Sequence, residues 1–252
     1  MPTETKPPLT PEQELARRTR RSFFALGAGA VVAAGGWFWL NAEPTDNDIP
    51  STLRRVLGFN ERVVRTALFS DGHLVKTFPA SAIGKLKVNG EIGMDAPADT
   101  AAWSLDLAPL GTAAQKLTLA DVRALPRYEQ TFEFKCIEGW STVTQFAGAR
   151  FSDFTAKFAP GSEKAAYVGM NTPDKQYYVG LDMPSALHPQ TLLAYEMNGQ
   201  PLTDRHGAPL RLVIPVKYGI KNIKRIARIE YTNDRPADYW ADEEGYDYYA
   251  GL

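Results

Sequence analysis

Residues 130–141 read Gln130-Thr131-Phe132-Glu133-Phe134-Lys135-Cys136-Ile137-Glu138-Gly139-Trp140-Ser141, and Cys136 is the only cysteine among 252 residues. Polar and apolar residues alternate up to the cysteine. On a strand, Thr131, Glu133 and Lys135 therefore share one face, and Phe132, Phe134 and Cys136 the other. Such a strand delivers the thiol from the core face to the strand's end. Beyond it, Trp140 to Phe151 reads as a local helix. A lone cysteine excludes an intrachain disulfide framework and any four-cysteine zinc or iron–sulfur site. It also excludes covalently attached haem, which needs a CxxCH motif. Three roles stay open on the residues alone. Cys136 can be a small buried hydrophobe. It can be a nucleophile, given an imidazole from His73, His188 or His206. It can be a soft-metal ligand whose remaining partners come from elsewhere, including an organic cofactor.

Around this segment the chain has the vocabulary of an α+β fold. Thr118 to Pro126 reads as a short helix capped by Thr118 and stopped by proline. Strands are expected at Ala165–Met170, Pro209–Pro215 and Arg225–Tyr231. Short apolar stretches from Leu86 onward are punctuated by Gly, Pro and Asn. Leu53 to Phe69 reads as a helix broken near Gly58, and Pro79–Ala82 as a loop. The expectation is one domain over residues 86–252 with mixed sheets, part of it barrel-like, preceded by a linker with short helices over 43–85.

The amino terminus has a different character. Lys6, Arg17, Arg18, Arg20 and Arg21 precede 18 uncharged residues, Phe23 to Leu40. As a helix these span about 27 Å, close to a bilayer core of roughly 30 Å. Residues 1–42 thus read as a signal or membrane anchor. Leu40-Asn41-Ala42 is a poor cleavage site, which favours the anchor. Thr19-Arg20-Arg21-Ser22-Phe23-Phe24 resembles the signal read by the twin-arginine export machinery. The basic end then stays cytoplasmic and the remainder is exported to the periplasm, tethered or free.

Charge is close to balanced, with 28 Lys and Arg against 29 Asp and Glu, so nothing argues for a nucleic-acid partner. Locally it is uneven. Arg211, Lys217, Lys221, Lys224, Arg225 and Arg228 occur between 211 and 229 without an acid, and seven acids follow between 230 and 252. The basic run is either a solvated face or an anion site. The acidic, aromatic tail either packs back on the domain or offers a docking surface to a basic partner.

Cys136-Ile137-Glu138-Gly139-Trp140-Ser141 resembles the molybdenum-cysteine segment of the sulfite oxidase family of molybdopterin oxidoreductases. Within that family it is similar to the bacterial exported branch of the periplasmic methionine sulfoxide reductase catalytic subunit. Leu187-His188-Pro189-Gln190-Thr191-Leu192-Leu193-Ala194 and the stretch from Asn198 to Lys224 support it in the same order. The resemblance implies a single sulfite-oxidase-type domain holding molybdenum on one pyranopterin, with Cys136 as the thiolate ligand of the metal. It implies two-electron oxygen-atom transfer on a small sulfoxide, sulfite-like or related oxo substrate.

Glu138 would then be an acid of the substrate pocket and Trp140 a pocket wall. Arg211 would contact phosphate or the metal's oxygen region, with His188 near the pterin. Lys217, Lys221 and Lys224 would form a phosphate clamp in which Gly219 lets backbone N–H groups approach, and Asn89 would fall near the pterin. A separate partner, a membrane cytochrome b or a soluble cytochrome c, would exchange electrons with a monomeric catalytic subunit. The alternative is a non-catalytic relative acting as a binding or assembly protein. The stretch from Phe59 to Gly90 departs from the relatives' pattern, which leaves the substrate open.

Overall fold

The computed structural model describes residues 10–46, 49–67, 70, 72–95 and 99–252. They fall into two compact units divided between Val56 and Leu57. In the first, helix α1 (Pro11–Ala42) opens with a capping box: Thr10 Oγ1 accepts from the Gln13 amide, and the Gln13 side chain accepts from the Thr10 amide. The helix is long and apolar enough to cross a membrane, and none of its residues is buried by protein. A minimal hairpin, β1 (Thr45–Asp46) and β2 (Ile49–Pro50), follows.

Helix α2 (Ser51–Ala67) runs unbroken through Gly58, against the expected break. A lone glycine costs a helix about 1 kcal/mol and does not end it. Leu68 and Phe69, expected to continue this helix, lie outside the described residues.

The second unit holds β3 (Leu105–Ala108), β4 (Gln115–Leu117), α3 (Leu119–Arg123), β5 (Arg127–Lys135), β6 (Ser141–Arg150) and α4 (Phe151–Phe158). It continues with β7 (Tyr167–Asn171), β8 (Tyr178–Asp182), α5 (Met183–Ala186), β9 (Leu192–Met197), β10 (Gln200–Pro201), β11 (Arg211–Val213), β12 (Arg228–Thr232) and α6 (Tyr239–Asp242). One sheet is antiparallel, in the order β10-β9-β6-β5 with β11 also on β9. The other, β4-β3-β12-β7-β8, is mixed because β12 runs parallel to β3. The expected mixed α+β character is thus present. In place of a barrel-like half stands an open sheet ending on β5 and β10. Phe151 and Phe154 of α4 pack with Leu107, Val168, Leu181, Leu212 and Ile229 in the main core. Phe132, Phe146, Leu192, Ala194 and Val213 form a second cluster within the antiparallel sheet.

The largest departure from expectation is β6. Trp140 to Phe151, read as helix, is a ten-residue strand paired with β5 from Lys135↔Ser141 to Arg127↔Ala149. Thr142, Val143, Thr144 and Phe146 prefer a pleated surface, and pairing along the whole of β5 outweighs local helical tendency. Gly148 is required: a Cβ there would lie 2.0 Å from the Leu193 carbonyl oxygen of β9. The strand predicted at Arg225–Tyr231 begins only at Arg228, since Arg225 adopts a left-handed φ of 51°. Residues 86–93 form no strand and run as irregular backbone. Helix α3 has the expected Thr118 cap, with Asp121 reciprocating.

The carboxy-terminal tail packs on its own domain. Tyr248, Tyr249 and Ala250 are buried, and residues 216–218 hydrogen-bond to Ala250 and Leu252.

Candidate functional site

Because β5 and β6 form a hairpin, Cys136 sits in its connection, not at the start of a helix. The Cys136 amide donates to the Trp140 carbonyl at 2.9 Å and Gly139 donates back to the Cys136 carbonyl at 3.2 Å. Gly139 takes φ 84°, a left-handed conformation that suits glycine and closes the turn. The thiol is buried but not sealed. It borders a cavity of about 200 Å³ that extends past Arg211 and Lys224.

The 86–93 segment brings one polar side chain to the sulfur, and the hairpin places a carboxylate nearby on the cavity's border. Asn89 Nδ2 lies 3.7 Å from Cys136 Sγ. Glu138 is solvent-facing and accepts from the Trp140 indole at 2.9 Å. That hydrogen bond first, then one from Asn89, holds its carboxyl below the usual carboxylate range. Trp140 stacks on Phe134, with ring centroids 6.2 Å apart, and Lys87 Nζ lies over the Trp140 ring, 4.4 Å from its centroid.

At the far side Arg211, on β11, is buried without a carboxylate partner among the described residues. Its guanidinium donates to the carbonyls of His206 at 3.1 Å and Asn222 at 3.2 Å, and lies 5.1 Å from the Phe146 ring centroid. Burial draws its pKa down to about 10, so it stays charged at neutral pH. Among the described residues Lys224 likewise has only backbone acceptors: Asn89, Gly90 and Arg205. Burial, with Arg211 adding to it, pulls Lys224 down to about 8. The same cavity is bordered by His206, whose pKa falls through burial and then through Arg211 and Lys224.

The structure thus gathers Asn89, Cys136, Glu138, Arg211, Gly219 and Lys224 around one cavity. It does not bring His188, Lys217 or Lys221 there. His188 is buried, with Nε2 3.2 Å from the His73 carbonyl and Nδ1 accepting from the Gln190 amide. Lys217 lies 3.5 Å from Asp182, and Lys221 is paired with Asp238. Much of the basic run is therefore neutralised by the protein's own acids. Of the three lysines expected to form a clamp, Lys224 alone borders the cavity, beside Arg211.

His206, expected only as an imidazole beside a nucleophilic Cys136, borders the cavity, and so do three residues not expected at the site: Tyr177, Trp240 and Tyr246. For the last two the density of aromatic residues in the tail was the available signal.

Among the described residues no group of three His, Cys, Asp or Glu could hold a metal alone. One cysteine sulfur beside a cavity, with two cations on the same cavity that have no carboxylate partner among the described residues, suits a metal whose other ligands arrive on an anionic organic cofactor. Residues 93–240 match the family model described as "Oxidoreductase molybdopterin binding domain". The chain belongs to this molybdopterin-binding oxidoreductase family. It is an enzyme, with molybdenum on molybdopterin as its cofactor. Among the relatives is the YedZ1 protein of Azospira oryzae, 34% identical over 209 residues, covering 82% of this chain and 78% of that one. Another is the protein-methionine-sulfoxide reductase catalytic subunit of Campylobacter jejuni, 29% identical and covering 97% and 83%. The sulfane dehydrogenase SoxCD of Paracoccus pantotrophus, a solved structure, superposes with a TM-score of 0.50 at 16% identity. That match covers 68% of this chain and 47% of the other, and it shows the fold of this molybdopterin oxidoreductase alone.

Proposed function

We propose that this enzyme reduces a sulfoxide, with the sulfoxide of methionine as the leading substrate, in the compartment beyond the cytoplasmic membrane. The observation that carries this reading is the character of the cavity wall. Phe134, Trp140, Tyr177, Trp240 and Tyr246 border it together with Leu86, Ile92, Ile220 and Met197. An oxyanion such as sulfite calls for cations with free donors. Here the three Lys224 donors are taken by backbone carbonyls, and Lys87 lies against Trp140. A thioether and its sulfoxide suit an aromatic, largely neutral funnel.

Cys136 would hold the metal as thiolate, and Arg211 with Lys224 would offset the cofactor's negative charge. Asn89 would hydrogen-bond the sulfur and tune it. Glu138, kept ionised, would face substrate at the mouth. The chemistry the bound cofactor supplies is two-electron oxygen-atom transfer, in which sulfoxide, two electrons and two protons become thioether and water. The aromatic walls exclude bulk water and seat the alkyl groups of the substrate.

Export by the twin-arginine route and a tether through α1 fit the apolar helix after Arg20-Arg21. A membrane cytochrome b is the electron donor this arrangement favours, and a soluble cytochrome c the alternative. The matured protein, carrying one molybdenum per chain, should oxidise reduced viologen dye when given methionine sulfoxide and should leave sulfite untouched. Oxidation of sulfite without sulfoxide turnover would overturn the substrate assignment. Full metal loading with no turnover on either would favour a binding or assembly role.

A further inference from the structure

Three segments distant in sequence converge on one buried carboxylate beneath the cavity. Asp238 is 1% exposed. Its Oδ2 accepts from the Gly180 amide at 3.1 Å and from Lys221 Nζ, and its Oδ1 accepts from the Ala241 amide at 3.1 Å, which caps α6. Lys221 is itself buried and also donates to the Gly180 carbonyl at 3.1 Å. The cap aims α6, and α6 carries Trp240, whose indole donates to the Tyr177 hydroxyl at 2.9 Å. Tyr177 in turn donates to the Ile220 carbonyl, one residue from Lys221. Trp240, Tyr177 and Ile220 all border the cavity beside Cys136. Gly180 is needed for this closeness, since a Cβ there would collide with the Tyr248 hydroxyl and meet the Pro236 carbonyl at 3.0 Å.

A buried ion pair is a poor device for stability alone, because desolvating both charges offsets their attraction. This pair does fix two walls of one cavity relative to each other. Trp240 rides on the carboxylate's helix and Ile220 on the lysine's turn. Tyr246 extends the same wall, with its ring 5.3 Å from that of Trp240 and its amide donating to the Trp240 carbonyl.

We propose that Trp240 and Tyr246 are the specificity-determining wall of the substrate pocket, and that Asp238, through Lys221 and the α6 cap, is the positioning residue that sets it. This rests on the reading of the cavity as a substrate pocket. The tail is thereby a working part of the site as well as a wrap.

The test uses the molybdenum-loaded protein labelled with 5-fluorotryptophan, with Trp240→Phe assigning the Trp240 fluorine resonance. Asp238→Asn removes the charge facing Lys221 and keeps one oxygen acceptor, for the Ala241 amide that caps α6, while its NH2 group replaces the oxygen that took the Gly180 amide. The paired variant Asp238→Asn/Lys221→Met removes both charges, so no buried ammonium is left unpaired and folding is spared. In both, the Trp240 resonance is expected to shift or broaden while that of Trp103 stays in place. KM for methionine sulfoxide should rise at least fivefold, with kcat held within about twofold and molybdenum content unchanged. Trp240→Phe and Tyr246→Ala should raise KM in the same way.

An unmoved Trp240 resonance in both Asp238 variants would overturn the positioning role, whatever the substrate proves to be. A proportionate loss of kcat and metal without a KM change would likewise overturn it, since it marks a merely structural part. Unchanged KM in Trp240→Phe and Tyr246→Ala would overturn the specificity wall. Absence of sulfoxide turnover in the unmodified enzyme would be a failure of the functional reading alone, and the fluorine measurement would still decide the clamp.

Discussion

The side-chain amide of Asn89 points its nitrogen at the sulfur of Cys136 from 3.7 Å, across 47 positions of sequence. A donor to a metal-bound thiolate withdraws electron density from the sulfur, and losing such a partner typically costs 10–100-fold in activity or affinity. Asn89→Leu is therefore expected to retain molybdenum and lose about tenfold in kcat/KM, with a displaced sulfur-to-metal absorption band. Cys136→Ser should lose activity altogether and alter the metal's spectrum. Steady-state kinetics beside metal analysis checks both. An Asn89→Leu enzyme with native kinetics and spectrum would show that the contact is incidental.

What could be read before folding was what local pattern dictates. Strict alternation marked β5 and placed Cys136 at its end, and Thr118 with Asp121 marked α3. The error at β6 arose because Ala147-Gly148-Ala149 supplies small residues that a helix accepts, while the forces choosing a strand are long-range: pairing with β5 and the approach of β9 at Gly148. Residues 211–228 showed their charge but not their destinations. Lys217 and Lys221 find Asp182 and Asp238, 35 and 17 positions away, and only the folded arrangement leaves Arg211 and Lys224 at the cavity. Trp240 and Tyr246 carry no motif. Their place follows from how the tail is tied down.

Gly148 offers a direct test of the corrected strand. Its register shifts at Ala147/Gly148, where β6 and β9 approach so closely that an added methyl would overlap the Leu193 backbone. Backbone cannot swing aside as a side chain can, so Gly148→Ala should destabilise the domain by about 3 kcal/mol, the upper end for overpacking. Urea denaturation of the purified protein measures this. A change below about 0.5 kcal/mol would mean the two strands are further apart than described.

Arg211 should separate folding from cofactor retention. Among the described residues its charge has only carbonyl oxygens and aromatic rings as partners, an arrangement that is favourable once an anionic group shares the cavity. Arg211→Met keeps the bulk and removes the charge. Molybdenum and pterin per chain should fall at least about tenfold, corresponding to about 1.4 kcal/mol of binding. Arg211→Lys, charged but without the planar fork, should fall between the two. Metal analysis and pterin fluorescence on purified protein report the order. Full occupancy in Arg211→Met would remove Arg211 from the cofactor's surroundings.

Stability should rise on the alkaline side of neutrality, in part through Lys224 and first of all through Lys217. Burial pulls its pKa to about 7 from an ordinary 10.5, against the opposing pull of Asp182. Below pH 7 folded and unfolded chains both hold the proton, so this group gives no slope. Between about pH 7 and 10.5 the unfolded chain binds a proton the folded one has released, and stability climbs with pH. Above pH 10 the sign reverses. Burial pushes Tyr249 up to about 12, so the unfolded chain ionises first and stability falls. The denaturation midpoint is thus expected to peak between about pH 9 and 10. The Lys217→Met/Asp182→Asn pair, which keeps an oxygen acceptor at the α5 cap, should reduce the rise to the share that Lys224, drawn down to about 8, contributes, and should keep the alkaline decline. A midpoint that drops steadily from pH 7 to 9 in the unmodified protein would contradict the buried, easily deprotonated state of Lys217.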